Sequence, residues 1–584
     1  MSYKPPFRDI LFVIEEVLQA PAGWRDCGRF ADIDVRTARQ VLEEGGRFAS
    51  AVLAPINAVG DQEGCILSDG GVRTPRGFAA AYRAFVDGGW PALACDPSDG
   101  GQGLPKILDA ALYEMLLSAN HAWSMYPGLL HGAYETIGRH GSEELKRLYL
   151  PKIASGEWLA AMALTESQAG TDLGLVGTRA VPGPDGSVRV TGSKVFISGG
   201  DHDMTPNIVH LALCRLPDAP PGSKGLSLAL VPKVLPDGSR NAMVCEGLED
   251  KMGINGSATC MIRYEEATGW LIGEPHRGLA AMFVMMNSAR LHVALQGLGH
   301  LAAVTQKALE YAQERVQMRA AVRPAGLPAA SADPIALHPA MRRMLWSLRA
   351  LTEGHRVLAY WTAQMIDDTQ HLADEGRRAT ADNRVALLTP LLKSALTRDG
   401  FQGSSAALRV FGGYGYVREF GIEQHVRDAR IAMVYEGTNE IQAIDLLMRK
   451  VLADGGAVLD DLLFEMSAEA ARCHADLLPF ATALQRQCDV ASAATGELLE
   501  GVHADPEWPL RVADDFLAGL GYTMLAWAWM RIAIAARDQL RVQPADPFLV
   551  EKMELARFGI DWLLPDATPH WHRVREPLAA LAWL

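Results

Sequence analysis

The sequence lacks the pairings that most often give a cysteine-bearing chain its chemistry. Its eight cysteines (Cys27, Cys65, Cys95, Cys214, Cys245, Cys260, Cys473 and Cys488) are scattered, and no two form a Cys-x-x-Cys. In a chain of 584 residues this argues against a disulfide framework or a zinc ribbon and predicts reduced core thiols. The sixteen histidines show no metal-ligand spacing with a flanking carboxylate, so no metal is expected. No Gly-x-Gly-x-x-Gly follows a strand pattern, which removes a Rossmann nicotinamide site. Positive charge is also scarce: a net charge of −14 argues against a general nucleic-acid binder, which needs a positive face. Long uncharged apolar runs are missing too. Leu279 to Val304 contains Arg290 and His292, and Met524 to Ala536 is short and contains Arg531, so no membrane span is expected. Arg8, Asp9, Glu15 and Glu16 interrupt the opening residues and argue against a signal peptide, so the expected location is cytoplasmic.

What is present is an ordinary globular composition, with 49% apolar and 21% charged residues, in a chain too long for one core. Residues 1–158 read as helices, with apolar stripes such as Ile10, Leu11, Ile14, Val17 and Leu18, and Asp34 placed to cap the next helix. Over 159–276 the texture changes to short β-branched runs (Ser187 to Val190, Val195 to Ser198, Ile208 to Cys214, Leu226 to Val231) between Pro-Gly, Asp-Gly and Gly-Ser turns. This predicts a small antiparallel barrel or sandwich. Long helices return over 277–452, interrupted by a Pro- and Ala-rich loop from Ala321 to Pro339. Asp454-Gly455-Gly456 is the clearest linker, and 457–584 reads as a further helical domain in which acidic residues outnumber basic ones. The expected fold is mainly α with a central β domain.

One stretch concentrates the chemistry: Met433-Val434-Tyr435-Glu436-Gly437-Thr438-Asn439-Glu440. It sets Glu436 behind the apolar Ile431-Ala432-Met433-Val434, where desolvation makes a carboxylate a stronger base near neutral pH. Gly437 allows a close backbone approach to a ligand, and Thr438 can cap the helix that follows. Upstream stand Val410-Phe411-Gly412-Gly413-Tyr414-Gly415-Tyr416 and Arg427-Asp428-Ala429-Arg430-Ile431.

These three blocks, in this order and spacing, resemble the acyl-CoA dehydrogenase family, in which the glutamate of Tyr-Glu-Gly-Thr is the catalytic base. The resemblance covers roughly residues 36–450, and the extra C-terminal segment resembles that of a longer bacterial subgroup. It implies a helical N-terminal domain, a small β-barrel, a four-helix bundle and FAD held between barrel and bundle. Ala161-Met162-Ala163-Leu164-Thr165-Glu166-Ser167 through Thr171 resembles the flavin segment, with Met162, Leu164 and Thr165 facing the ring and Thr171 keeping a hydroxyl for the ligand. Phe196 and Ser198 resemble the aromatic and hydroxyl residues against the flavin, although many members carry Trp at the position of Phe196. Arg290 resembles the arginine near the catalytic carboxylate, and Asn287 stands where many members have an Asp in the CoA site. Arg315 resembles the residue that reaches the FAD pyrophosphate of a neighbouring subunit, while Arg409, Gly413, Thr438 and Glu440 fall in FAD-proximal blocks. Tyr435 and Gly437 flank the base on the substrate side.

The reaction implied is α,β-dehydrogenation of an acyl-CoA thioester. Glu436 takes the α proton, the β hydride goes to flavin N5 and electrons leave to an electron-transfer flavoprotein. An acyl-CoA oxidase would share the glutamate and the flavin but return electrons to oxygen. A DNA-associated flavoprotein on the same fold would want a basic extension, and the tail here is acidic. The resemblance also implies a homodimer that shares its FAD sites. The C-terminal helices are expected either to cover the face on which simpler members form tetramers or to make a new oligomer contact.

Overall fold

The computed structural model describes residues 3–328 and 330–576. Helix α1 (Val35–Phe48) starts where Asp34 accepts a hydrogen bond from Thr37 N–H at 2.6 Å. The N-terminal region is not wholly helical, as the sequence had implied. β1 (Ile66–Ser68) and β2 (Gly71–Arg73) form a hairpin, and its two-residue Asp69-Gly70 turn is a standard hairpin signal. Helices α2 (Lys106–Ala119) and α3 (Leu130–His140) follow, α2 buried along almost its whole length.

The central domain has seven strands: β3 (Trp158–Ala163), β4 (Arg179–Pro182), β5 (Val188–Ser198), β6 (Asn207–Arg215), β7 (Leu226–Pro232), β8 (Met243–Leu248) and β9 (Thr259–Ile272). β6, β4, β5, β9 and β7 pair in a closed ring, with β3 and β8 added at its sides. Two expectations need correcting. The sheet is mixed, because β3 and β4 run parallel to β6. The runs at Ser187 and Val195 also belong to one strand, which the bulge between Val190 and Gly192 bends without breaking.

The bundle is built on α4 (Gly278–Glu314), α5 (Pro339–His371) and α6 (Glu375–Phe411), joined later by α7 (Asn439–Ile444). α4 and α6 touch backbone to backbone. A Cβ at Gly297 would stand 2.2 Å from Leu396 O, and one at Gly400 would stand 2.4 Å from Gly297 O, so only glycine fits this crossing.

In the C-terminal extension, α8 (Trp508–Val542) packs on α5, α6 and α7. Its Trp529 is fully buried and donates to Ala350 O at 2.9 Å. The opening segment is locked into the same face: buried Lys552 pairs with Asp9 and with Glu353 of α5, both at 2.6 Å. Met524 to Ala536, short by sequence, lies within this 35-residue helix. Both α4 and α8 are long and apolar enough to cross a membrane, yet 56% and 83% of their most apolar stretches are buried inside the protein.

Candidate active site

After a 3-10 turn at Ile431–Met433 the chain reverses through Tyr435, Glu436 and Gly437. Thr438 then opens α7, its hydroxyl accepting from Ile441 N–H at 3.4 Å. The reversal puts Glu436 at φ 56° and Gly437 at φ 81°. Left-handed backbone at a residue other than glycine costs about 1–3 kcal/mol and persists only where neighbours hold it. Gln442 does so by donating to Glu436 O at 2.8 Å. Lys393, fully buried on α6, donates to Gly437 O at 2.7 Å and to Asn439 Oδ1 at 3.0 Å.

Glu436 lines a cavity of about 540 Å³ between the β domain and the bundle. Its Oε2 is buried without a partner among the described residues. Burial raises its pKa to about 7, against the opposing fields of Arg290 and Lys393. Lys393 is shifted the other way, its ammonium pulled down to about 7 by burial. Tyr435 donates its hydroxyl to Gln296 Oε1 on α4 and lies 3.4 Å from Met125 Sδ, which fixes the residue beside the carboxylate.

The strand-side wall of the cavity contains Met162, Leu164, Thr165, Thr171, Phe196 and Ser198. Its edge is anchored by Glu166, whose carboxylate accepts from Gly177 N–H (2.7 Å), Thr178 N–H (3.0 Å) and Lys194 Nζ (2.8 Å). Lys194 is fully buried and also donates to Leu164 O at 2.9 Å. Burial alone would raise the Glu166 pKa, but Lys194 and these hydrogen bonds bring it down to about 2. The opposite wall is helical, with Tyr113 and Leu117 of α2, Met125, Gly128 and Leu129, and Ala289, His292, Val293 and Gln296 of α4.

Ten of the residues singled out by sequence therefore line one cavity: Met162, Leu164, Thr165, Thr171, Phe196, Ser198, Tyr435, Glu436, Gly437 and Thr438. Six others do not line it. Arg290 is buried behind the wall, where its Nη1 meets Asp445 Oδ2 at 3.2 Å, and it reaches Glu436 through its field. Asn287 lines a second cavity, of about 320 Å³, with Ser288, Leu291 and Leu295 of the same helix. Arg315, Arg409 and Gly413 are exposed at the far end of the bundle, with the Arg315 guanidinium 5.7 Å from the Tyr414 ring centroid. Glu440 is exposed in the first turn of α7.

Lys393, Gln296 and His292 emerge as functional candidates that the sequence reading gave no role. Lys393 carried a usable signal: it is the lone charge in Leu391-Leu392-Lys393-Ser394-Ala395-Leu396, as Arg290 is in its own apolar run. Among the described residues no group of three or more His, Cys, Asp or Glu is arranged to hold a metal.

This geometry agrees with what the chain resembles. Profiles of the N-terminal, middle and C-terminal domains of acyl-CoA dehydrogenases match residues 36–157, 161–267 and 276–451. A fourth, acetyl-CoA dehydrogenase C-terminal like, matches 462–582. The 3-methylmercaptopropionyl-CoA dehydrogenase of Ruegeria pomeroyi is 38% identical, over 99% of this chain and 98% of its own. The chain belongs to the acyl-CoA dehydrogenase family. It is also 33% identical to the broad-specificity linear acyl-CoA dehydrogenase FadE5 of Mycobacterium tuberculosis, over 96% of both chains. In fold it resembles the acyl-CoA dehydrogenase of Bacillus anthracis solved with FAD (TM-score 0.74, 18% identity, 97% of this chain and 91% of that one). The Caenorhabditis elegans ACDH-11 structure with C11-CoA is similar (TM-score 0.73, 17% identity, 99% and 96% covered).

Members of this family are FAD-dependent oxidoreductases, and the strand-side wall suits that cofactor. Phe196, at φ 60° and 61% exposed, offers a largely open aromatic face to a planar ring. The Thr165 and Ser198 hydroxyls and the bare Gly170 edge line the same wall and suit a ring system rich in donors and acceptors.

Proposed function

We propose that this family member oxidises an acyl-CoA thioester to the trans-2-enoyl-CoA, with Glu436 as the base. The observation that carries the reading is Glu436 Oε2, buried on the cavity wall without a partner among the described residues, in a carboxyl whose pKa burial raises to about 7. A general base works best when its pKa lies near the operating pH. Met162, Leu164, Thr165, Phe196 and Ser198 would hold FAD, which when bound supplies the hydride acceptor for the β carbon. The Lys393 and Gln442 contacts keep the carboxylate-bearing turn in its strained form, so that the base meets the α carbon without rearranging. The backbone N–H of Glu436 would donate to the thioester oxygen, where negative charge grows as the α proton leaves.

The proposed electron acceptor is an electron-transfer flavoprotein, and the proposed assembly a homodimer. Exposed Val316, Met318, Tyr414 and Tyr416 surround Arg315 at the end of the bundle, an apolar rim suited to a second copy whose FAD pyrophosphate Arg315 would reach.

The decisive experiment is anaerobic mixing of flavin-loaded protein with a panel of acyl-CoA esters, including 3-methylthiopropanoyl-CoA, followed by admission of air. Bleaching of the flavin band by at least one ester is expected, with slow return of colour in air. No bleaching across the panel defeats the dehydrogenase reading, and rapid recovery in air makes the enzyme an oxidase.

A further inference from the structure

We infer that His292 sets the acyl-chain length of this enzyme, as the partition between the acyl cavity and the second cavity on the same helix. The inference rests on the acyl-CoA reading above and narrows its substrate class to short acyl chains. Of the residues lining the two cavities, His292 is common to both. It is held there from several sides. Its Nδ1–H donates to Gly128 O at 2.9 Å, and its ring lies 4.4 Å from that of Tyr113. Its Nε2 stands 3.8 Å from Asp109 Oδ2, a residue of the second cavity.

The direction of the acyl tail follows from the two walls. The strand side is taken by the residues assigned to the flavin, and Glu436 must face the α carbon. The tail is left the helical side, lined by Leu117, Met125, Leu129, Val293 and then Tyr113 and His292. Beyond His292 the second cavity continues with Ala110, Leu291, Leu295 and Ile366 among polar flanks that include Asn287, Ser288 and Gln370. Its floor is charged, with Lys106 Nζ 2.6 Å from Glu135 Oε1. A chain that ends before the imidazole keeps apolar contact throughout. A longer one must displace a ring fixed by Gly128 and Tyr113.

Truncating the partition joins the cavities. Wild type and His292→Ala, both loaded with FAD, are compared for kcat/KM on butyryl-, hexanoyl-, octanoyl- and decanoyl-CoA. One methylene in an apolar pocket is worth about 10–200-fold in discrimination. Wild type is therefore expected to favour the short esters, and His292→Ala to raise the octanoyl-to-butyryl ratio about tenfold or more. Adding Ser288→Phe, which refills the second cavity, should return the ratio toward wild type. If His292→Ala does not hold flavin, His292→Val gives the same readout with a smaller opening. An unchanged ratio in a variant that still turns over butyryl-CoA overturns the partition, as does a wild type that prefers decanoyl-CoA. Failure of wild type with every ester is distinct, because it removes the dehydrogenase reading instead.

Discussion

Lys393 Nζ donates to the carbonyl of Gly437 at 2.7 Å, so a buried lysine on one helix holds the turn that carries Glu436. The contact has two consequences. It fixes a backbone reversal in which two successive residues have positive φ, and its field favours the ionised carboxylate. Lys393→Met, close in shape but neutral, is expected to bind FAD normally and to lose about 10²-fold in kcat, the scale of a small misplacement of a reacting group. Removing the cation also raises the Glu436 pKa, so the rise of kcat/KM with pH should shift to higher pH. A shift to lower pH, or none, would show that Lys393 acts on packing alone.

Glu436 itself gives the second prediction. Its carboxyl is held at about 7 by burial, and a base works only when deprotonated. Activity in wild type should therefore climb as pH rises through about 7 and fall away below it. Glu436→Gln keeps size and polarity without the base, and kcat should drop by about 10²–10⁴-fold while acyl-CoA still perturbs the flavin spectrum. Stopped-flow flavin reduction measures both.

The third prediction concerns the flavin wall. Lys194→Met leaves the Glu166 carboxylate buried with its backbone donors but without its cation. Breaking one side of a buried pair costs about 3–5 kcal/mol. Chemical denaturation should report that loss, together with weaker retention of FAD, because Leu164 O loses its donor as well. A Lys194→Met protein of wild-type stability and flavin content would show that the pair is dispensable.

How far the sequence could be read follows from where each signal is stored. That Glu436, Thr438, Thr165 and Ser198 share one cavity could be anticipated because each sits in a contiguous block of the sequence. The hairpin at β1 and β2 is hard to read although Asp69-Gly70 announces it, since three-residue strands carry almost no periodicity. The parallel pairing of β3 with β6 was out of reach, because register between strands distant in sequence is set by tertiary packing. Asn287 owes its cavity to helix periodicity. The helix turns about 100° per residue, so a residue three before Arg290 faces a different cavity from Ala289. His292 and Lys393 were visible as polar interruptions of apolar runs, but only the fold shows what each one touches.

The last prediction concerns assembly. Met318 and Tyr416 are 78% and 83% exposed, beside the Arg315–Tyr414 contact at the end of the bundle. Large apolar side chains exposed in a cluster mark a surface made to be covered. The opposite situation holds at α8, whose Trp527 and Trp529 are already buried against this chain's own bundle. α8 therefore spends its tryptophans inside the subunit, while the apolar side chains around Arg315 stay open. Full-length protein is expected to be a dimer by light scattering. Met318→Glu with Tyr416→Glu places like charges on both copies and should give monomers that fold but bind FAD more weakly, since Arg315 loses its partner's site. Trp529→Ala should instead lower stability by about 3–5 kcal/mol without dissociating the dimer. A full-length tetramer would defeat the assignment of this surface, and so would a double variant that remains dimeric with unchanged FAD affinity.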